Sequence, residues 1–136
     1  MSAAVDNEFK QLIIGLTERL ITAINAADYD SYTKLVDRNL TSFEPEAVGN
    51  IVGVEFHKFY FDYLLAKDKA PKRTSILSPV VHKLDANSAV IAYVRLNQSV
   101  DKDGNVVTTR GEETRVWHKK DGQWLLLHFH RSDVHL

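Results

Sequence analysis

Three arginines in the second half of the sequence have the spacing needed to converge on one anion. Arg95, Arg115 and Arg131 each lie in a segment of alternating apolar residues, in phase with side chains that should face the inside of a sheet. A guanidinium removed from water is costly unless it is paired, and its fork of donors matches carboxylate and phosphate geometry. The three arginines could therefore form internal ion pairs or a pocket for a small anion, and the sequence leaves both alternatives. The carboxylates available for internal pairing are Glu44, Glu112 and Glu113.

Four strands must position these arginines. From Arg73 onward the pattern has period two and predicts the strands "RTSILSPVVHKL", "SAVIAYVRLNQSV", "VVTTRGEETRVWHKK" and "QWLLLHFHRS". The turns between them are "DANS", "DKDG" and "KKDG", two of which offer a Gly where positive φ costs least. The side chains predicted to face inwards are Ile91, Tyr93 and Arg95, then Glu113, Arg115 and Trp117, then Leu125, Leu127, Phe129 and Arg131.

Helical patterns precede the strands. "NEFKQLIIGLTERLITAINAAD" predicts a long helix whose core-facing stripe is Phe9, Leu12, Ile13, Leu16, Leu20 and Ile24. "ADYDSYTKLVD" predicts a short helix capped by Asp28 or Asp30, and "NLTSFEPEAVGNIVG" a short strand and a loop. The helix "VEFHKFYFDYLLAKD" has one stripe of Phe56, Phe59, Tyr60, Tyr63 and Leu64 and a second of Phe61 and Leu65. Helices followed by an antiparallel meander indicate the α+β class.

The predicted apolar surface is larger than one chain can bury. In the last strand, Trp124, Leu126 and His128 should face away from the inward side, so this strand is apolar on both faces. The Phe-rich helix likewise has two apolar stripes. We therefore expect other copies of the chain to cover the outer face, with an additional covering segment as the alternative.

Length and composition indicate a single domain over residues 1–136, with an ordered core over about 7–132. A formal net charge of −1 argues against nucleic-acid binding driven by bulk charge. The absence of Cys removes disulfide and thiol chemistry. Because no segment resembles a membrane span or a signal peptide, we expect a cytoplasmic protein with neither a membrane nor a nucleic-acid partner.

Two segments imitate metal sites. "DKDGNVVTTRGE" has acids where a calcium loop needs them, but Val106 at its sixth position, where the sharp turn needs Gly. A hairpin turn is the preferred interpretation. His128, His130 and His135 lack a carboxylate at ligand spacing, and we interpret them as interface residues that could make assembly pH-sensitive. We expect neither a metal nor a cofactor.

Four strings of the sequence resemble one family. "TSFEPEAVGN", "FHKFYFDYLL", "AVIAYVRLNQ" and "EETRVWHKKDGQWLLLHFHRS" are similar, in matching order, to the association (hub) domain of calcium/calmodulin-dependent protein kinase II. The resemblance implies the nuclear transport factor 2-like fold, a cone in which a curved antiparallel sheet wraps around a long N-terminal helix. It also implies pairs of domains that build two stacked rings of about twelve to fourteen subunits and scaffold kinase domains.

The resemblance also implies a pocket. Arg95, Arg115 and Arg131, with His57 nearby, would hold a small carboxylate from a metabolite or a linker peptide. Leu65 stands where some members have a large aromatic, and the loop "GNIVGVEFH" is one residue shorter than usual, so the ligand stays open. Because the sequence has no Gly-rich loop, "HRD" or "DFG", the chain should not itself transfer phosphoryl groups.

The alternative function is a stand-alone small-molecule-binding protein or an enzyme. The same cone resembles that of ketosteroid isomerases, dehydratases and epoxide hydrolases, and an acid–base pair could come from His57, Tyr93, Tyr32 and Glu113. Fold alone does not give function. Three inward arginines would keep carboxylates ionised, which favours holding an anion over abstracting a proton. The sequence therefore predicts a hub with no catalytic residue.

Overall fold

The secondary structure follows the predicted order of helices and then strands. The computed structural model describes residues 3–45, 53–63 and 72–134. Its helices are α1 (Ala3–Asn25), α2 (Tyr29–Lys34) and α3 (Val54–Tyr63). Its strands are β1 (Val36–Phe43), β2 (Lys72–Asp85), β3 (Ser88–Val100), β4 (Val106–Lys120) and β5 (Gln123–Val134). β2 to β5 form the predicted antiparallel meander, and the α+β class is confirmed.

A fifth strand completes a sheet of order β1-β5-β4-β3-β2, and it runs parallel to its neighbour. The pattern predicts a short strand here but not its partner. Asp28 caps α2 by accepting a hydrogen bond from Ser31 N. Directly after α2, Leu35 O accepts from Leu126 N at 2.8 Å, so pairing with β5 begins as the helix ends. The sheet is therefore antiparallel except at this edge.

The core lies between α1 and the inner face of the sheet. Trp117 reaches from β4 to α1, where its Nε1 donates to Thr17 Oγ1 at 3.2 Å. Leu12, predicted to face the core, is 42% exposed, and Ile21 is buried instead. The fully buried apolar side chains are Ile13, Leu20, Ala89, Ile91, Trp117 and Leu126. None of the helices described here is long and apolar enough to span a membrane.

A β-bulge changes which side chains of β5 face the core. Val116 pairs with His128 but Trp117 with Leu126, so β5 contains one residue more than β4 between these pairs. Leu126 is therefore fully buried, and Trp124 packs against the core. The predictions that Leu125 and Leu127 face inwards and that Trp124 and Leu126 face away are both wrong, because the extra residue reverses the alternation before the bulge. Beyond the bulge, Phe129 and Arg131 keep the predicted inward phase.

Helix α3 turns a different stripe to the core from the main predicted one. His57 and Phe61 are buried, whereas Phe59 and Tyr63 are 53% and 57% exposed. The rings of this exposed pair are 5.0 Å apart. Residues 64 and 65, which complete the two predicted stripes, lie outside the described residues. Phe59 and Tyr63 therefore form part of the apolar surface that a single chain leaves exposed.

Candidate anion-binding site

β3 and β4 bring four polar side chains onto the inner face of the sheet. Tyr93 and Arg95 alternate along β3, and Glu113 and Arg115 alternate along β4. All four are buried. Tyr93 is paired directly with Glu113 across the two strands, so their side chains leave the sheet side by side. The predicted inward phase of Arg95 and Arg115 is confirmed.

Glu113 is the centre of this group. Its Oε2 accepts from Arg95 Nη1 at 3.1 Å, and its Oε1 accepts from Arg115 Nη2 at 2.9 Å. The Tyr93 hydroxyl also donates to Oε1. Burial alone raises the pKa of Glu113, but the charges of Arg115 and Arg95 outweigh it and lower the pKa to about 2. Of the three candidate glutamates, Glu113 is thus the internal partner of both arginines.

One nitrogen of Arg115, Nη1, has no hydrogen-bond partner among the described residues. Its Nε donates to the Tyr93 hydroxyl at 2.8 Å, and its guanidinium carbon lies 4.6 Å from the centre of the Phe129 ring. Burial lowers the pKa of Arg115, but Tyr93 and Glu113 raise it above its ordinary value. No hydrogen-bond partner for its buried Nη1 is found within residues 3–45, 53–63 and 72–134. A buried donor on a permanent cation is a group that an anion from solution could satisfy.

A second buried group joins α2, the end of β1 and α3. His57 Nε2 lies 2.7 Å from Glu44 Oε2, and its Nδ1 lies 2.9 Å from the Tyr32 hydroxyl. Ser42 Oγ donates to the same Glu44 oxygen at 2.8 Å. Burial raises the pKa of Glu44, but the hydrogen bond from His57 contributes most to a net lowering. With a single proton on Nε2, His57 would donate to ionised Glu44 and accept from the Tyr32 hydroxyl at Nδ1.

Phe129 connects the two groups. Its ring stacks on the His57 imidazole with centroids 5.6 Å apart, and it also contacts the Arg115 guanidinium. Arg131 follows two residues later on β5, and its charge helps to lower the pKa of Glu44. The four predicted site residues, His57, Arg95, Arg115 and Arg131, thus lie along one inner wall. That this wall binds a ligand stays a prediction.

Two residues that support Arg95 have no counterpart in the predicted site. Arg95 Nε donates to Asn97 Oδ1 at 3.1 Å, and Thr74 Oγ1 donates to the same oxygen at 2.9 Å. Strand alternation could have revealed Asn97, which has the phase of Arg95. Thr74 is identified only through the β2–β3 register, which pairs it with Asn97. Leu65, expected beside the pocket, lies outside the described residues, as do residues 49–52 of the shortened loop.

In the two segments that resemble metal sites, candidate ligands form hydrogen bonds within the protein. Asp101 Oδ1 accepts two backbone N–H groups of the β3–β4 turn, so the oxygen that a calcium loop would use is already bonded. His128 Nδ1 lies 2.8 Å from Thr41 Oγ1 on the outer face. His135 lies outside the described residues. Across the part of the chain that the structure describes, no three His, Asp or Glu side chains are grouped as metal ligands.

Comparison with known sequences identifies the family. A sequence profile of the calcium/calmodulin dependent protein kinase II association domain matches residues 9–135. The chain belongs to this family. Over 124 residues it is 56% identical to the calcium/calmodulin-dependent protein kinase type II alpha chain of Drosophila melanogaster. The match covers 90% of this association domain but 23% of the fly protein, so the chain spans less than a quarter of that relative.

Solved structures agree with the family and with the fold. The association domain of C. elegans CaMKII matches with a TM-score of 0.87 at 43% identity, covering 93% of this chain and 96% of that one. The Chlamydamonas reinhardtii CamKII hub homology domain matches at 0.84 and 41% identity, covering 98% and 100%. A nuclear transport factor 2-like protein from Salmonella enterica matches at 0.77 and 20% identity, covering 96% and 94%, which shows the fold alone. The predicted nuclear transport factor 2-like fold is confirmed.

Proposed function

We propose that this association domain is a cytoplasmic oligomerisation hub that closes into a two-layer ring of about twelve to fourteen copies and scaffolds attached kinase domains. Membership of the association-domain family over residues 9–135 carries this proposal. The exposed apolar side chains of the single chain support it, since other copies of the chain would cover them. These exposed side chains include Phe59, Tyr63, Leu77, Val80, Leu84, Val106 and Val107.

Such a ring would act through proximity. A kinase domain tethered to each copy would meet its neighbours at an effective concentration set by the tether and not by the bulk solution. Phosphorylation of one tethered domain by another would then become nearly independent of protein concentration. The hub itself would need no catalytic residue.

The native mass of the purified chain tests the ring. We expect native mass spectrometry and light scattering to find one discrete species of about twelve or more copies across a wide dilution series. A monomer or dimer at every concentration would contradict the ring while leaving the fold intact. The same measurement at mildly acidic pH tests the predicted sensitivity of assembly to histidine protonation.

We also propose that the inner wall of the cone binds a small carboxylate, from a metabolite or from a linker peptide. Two guanidinium groups, from Arg95 and Arg115, share the single carboxylate of Glu113, so these three residues together keep a positive charge. Arg115 Nη1 adds a buried donor for which the described residues supply no acceptor. A guanidinium that is already desolvated and fixed loses little on binding an anion.

Acetate and its neutral counterpart acetamide test this pocket by calorimetric titration. The informative variant is Arg131→Gln, because Arg131 is less buried than Arg115 and its loss leaves Glu113 with both of its own partners. We expect wild type to bind acetate and not acetamide, and the variant to lose about tenfold in affinity. Arg110→Gln, which removes an exposed arginine of β4, is the matched control. Equal affinity in both variants would refute the pocket.

One observation supports a catalytic alternative, namely the hydrogen-bonded chain from Tyr32 through His57 to Glu44. An imidazole between a hydroxyl and a carboxylate is an arrangement that can move protons. Turnover of small carboxylates, followed by NMR, decides between the two functions. A hub should return them unchanged, whereas an enzyme should lose turnover in His57→Gln and keep it in His82→Gln, an exposed histidine of β2.

A further inference from the structure

The guanidinium of Arg95 is held on two sides by chemically different groups. Its Nη1 donates to the carboxylate of Glu113, whereas its Nε donates to the neutral amide oxygen of Asn97 at 3.1 Å. Thr74 Oγ1 donates to the same amide oxygen at 2.9 Å. Asn25 Nδ2 donates in turn to Thr74 Oγ1, also at 2.9 Å. A chain of three neutral side chains therefore runs from the end of α1, across β2, to an arginine of the candidate site.

The hydrogen bonds of this chain converge on the side-chain oxygen of Asn97. Because Asn25 donates to the Thr74 oxygen, the Thr74 proton is free to point at Asn97. Because Asn97 then accepts from both Thr74 and Arg95, its oxygen and not its NH₂ must face the guanidinium. Turning the Asn97 amide over would place its donors against the donors of Arg95. Each member thus fixes the orientation of the next.

Because the Asn97 side chain is uncharged, it holds Arg95 without cancelling its positive charge. A carboxylate at position 97 would give Arg95 the same geometric support and would also cancel its charge. With an amide there, Glu113 supplies the one carboxylate that pairs with Arg95 and Arg115 among residues 3–45, 53–63 and 72–134. Arg95 is thereby immobilised while the group keeps a net positive charge. This combination is required for anion binding but not for packing alone.

We propose that Asn97, oriented by Thr74 and Asn25, is a positioning residue of the anion site. It locks the Arg95 guanidinium against Glu113 without neutralising it. This inference rests on the proposed carboxylate pocket and extends that pocket to residues on β2 and α1. Asn97 acts on the anion through Arg95, so its removal should matter only while Arg95 is present.

Two substitutions separate position from charge. Thr74→Val keeps the shape of the side chain and removes the donor to Asn97, and we expect acetate affinity to fall about threefold to tenfold. Thr74→Ser, which retains the hydroxyl, should restore most of it. Asn97→Asp keeps the acceptor for Arg95 Nε and adds a negative charge, so acetate affinity should fall at least tenfold with Arg95 unmoved in a crystal structure. Thr108→Val, at an exposed threonine of β4, is the control for hydroxyl loss.

A double-mutant cycle tests whether the effect passes through Arg95. In an Arg95→Gln background, titrated at higher acetate concentration, we expect Thr74→Val to have no further effect. The same loss of affinity with and without Arg95, or no loss in Thr74→Val at all, would overturn the proposal.

Failure of the pocket itself has a different signature. If wild type binds no acetate, the carboxylate proposal is wrong, and the crystal structure of Thr74→Val alone decides the positioning role. A displacement of the Arg95 guanidinium by about 1 Å or more, with loss of its bond to Asn97, would support positioning. An unmoved guanidinium would overturn it.

Discussion

Glu113 and Glu44 are two buried carboxylates on the inner side of one small domain, and their partners differ in kind. Glu113 is held by two guanidinium groups and a phenol, and Glu44 by an imidazole and an alcohol. Folding lowers the pKa of both carboxyl groups. A guanidinium stays charged at every pH that a protein survives, whereas an imidazole changes charge near neutral pH. Glu113 is therefore hydrogen-bonded to two permanent cations, whereas the imidazole hydrogen-bonded to Glu44 is charged only conditionally.

The difference shows how the interior of this cone tolerates buried acidic and basic side chains. Around Glu113 the charges are fixed, so the cost of burying them is recovered only while every partner is present. Around Glu44 an imidazole protonated on Nε2 alone can satisfy both hydrogen-bonding neighbours, and the charge of Arg131 also lowers the pKa of Glu44. We infer that the Glu113 group is the structural constraint on the sheet and that the Glu44 group tolerates change.

The most direct test of this difference is to neutralise each carboxylate in turn. Glu113→Gln leaves two buried guanidinium groups without a counter-charge and should lower the free energy of unfolding by about 3–5 kcal/mol. Glu44→Gln keeps an acceptor for His57 and should cost about 1–2 kcal/mol. Urea unfolding at one fixed protein concentration measures both, since assembly contributes to apparent stability.

Glu112→Gln is the matched control for these variants. Glu112 is the exposed neighbour of Glu113 on the opposite face of β4, and its neutralisation should change stability by less than about 0.5 kcal/mol. If Glu44→Gln proved as costly as Glu113→Gln, the distinction between a permanent and a conditional counter-charge would not hold.

The stability contribution of Glu113 should also depend on pH in the acid range. The pKa of Glu113 is about 2 in the folded chain against an ordinary 4.5. A carboxyl with a depressed pKa stabilises the fold fully above its ordinary pKa, and this contribution disappears as the pH falls from about 4.5 to about 2. The loss for Glu113 is on the order of 3 kcal/mol. Unfolding midpoints across this window should therefore fall more steeply in wild type than in Glu113→Gln, and parallel profiles would contradict the assignment.

Most of the Glu113 group could be predicted from the sequence, because its arrangement depends on strand alternation alone. Arg95, Glu113 and Arg115 lie on two long strands joined by one hairpin, and neither the register nor the phase of these strands is interrupted. Period-two patterning is therefore sufficient to bring their side chains to one face. The choice of Glu113 over Glu44 and Glu112 needed distances, since strand alternation alone does not say which of these acids the arginines contact.

The Glu44 group was much harder to predict from the sequence, because it depends on contacts between helices and strands that are distant along the chain. The sequence pattern favours the aromatic stripe of α3 for burial, yet polar His57 takes the inner position because Tyr32 and Glu44 satisfy both of its nitrogens. The bulge in β5 has no local signal either, and it reverses the phase of Leu125 and Leu127. Helix propensity and alternation do not record which polar groups will find partners across the fold.

The same substitution in the two groups gives the finest test of the comparison. Tyr93→Phe removes a donor to ionised Glu113 and the acceptor for Arg115 Nε, whereas Tyr32→Phe removes one hydrogen bond to the His57 imidazole. Hydrogen bonds to charged groups contribute about 1.5–3 kcal/mol and neutral ones about 0.5–1.5 kcal/mol. We therefore expect Tyr93→Phe to be the more destabilising variant by about 1 kcal/mol, measured as a difference in urea midpoint at equal denaturant slope. Both tyrosines are buried and both variants keep the ring, so packing is matched, and the difference compares the loss of two hydrogen bonds to charged partners with the loss of one to an imidazole. If the order were reversed, the Tyr32–His57–Glu44 chain would be the stronger constraint on the fold, and Glu44 would have to be treated as permanently counter-charged as well.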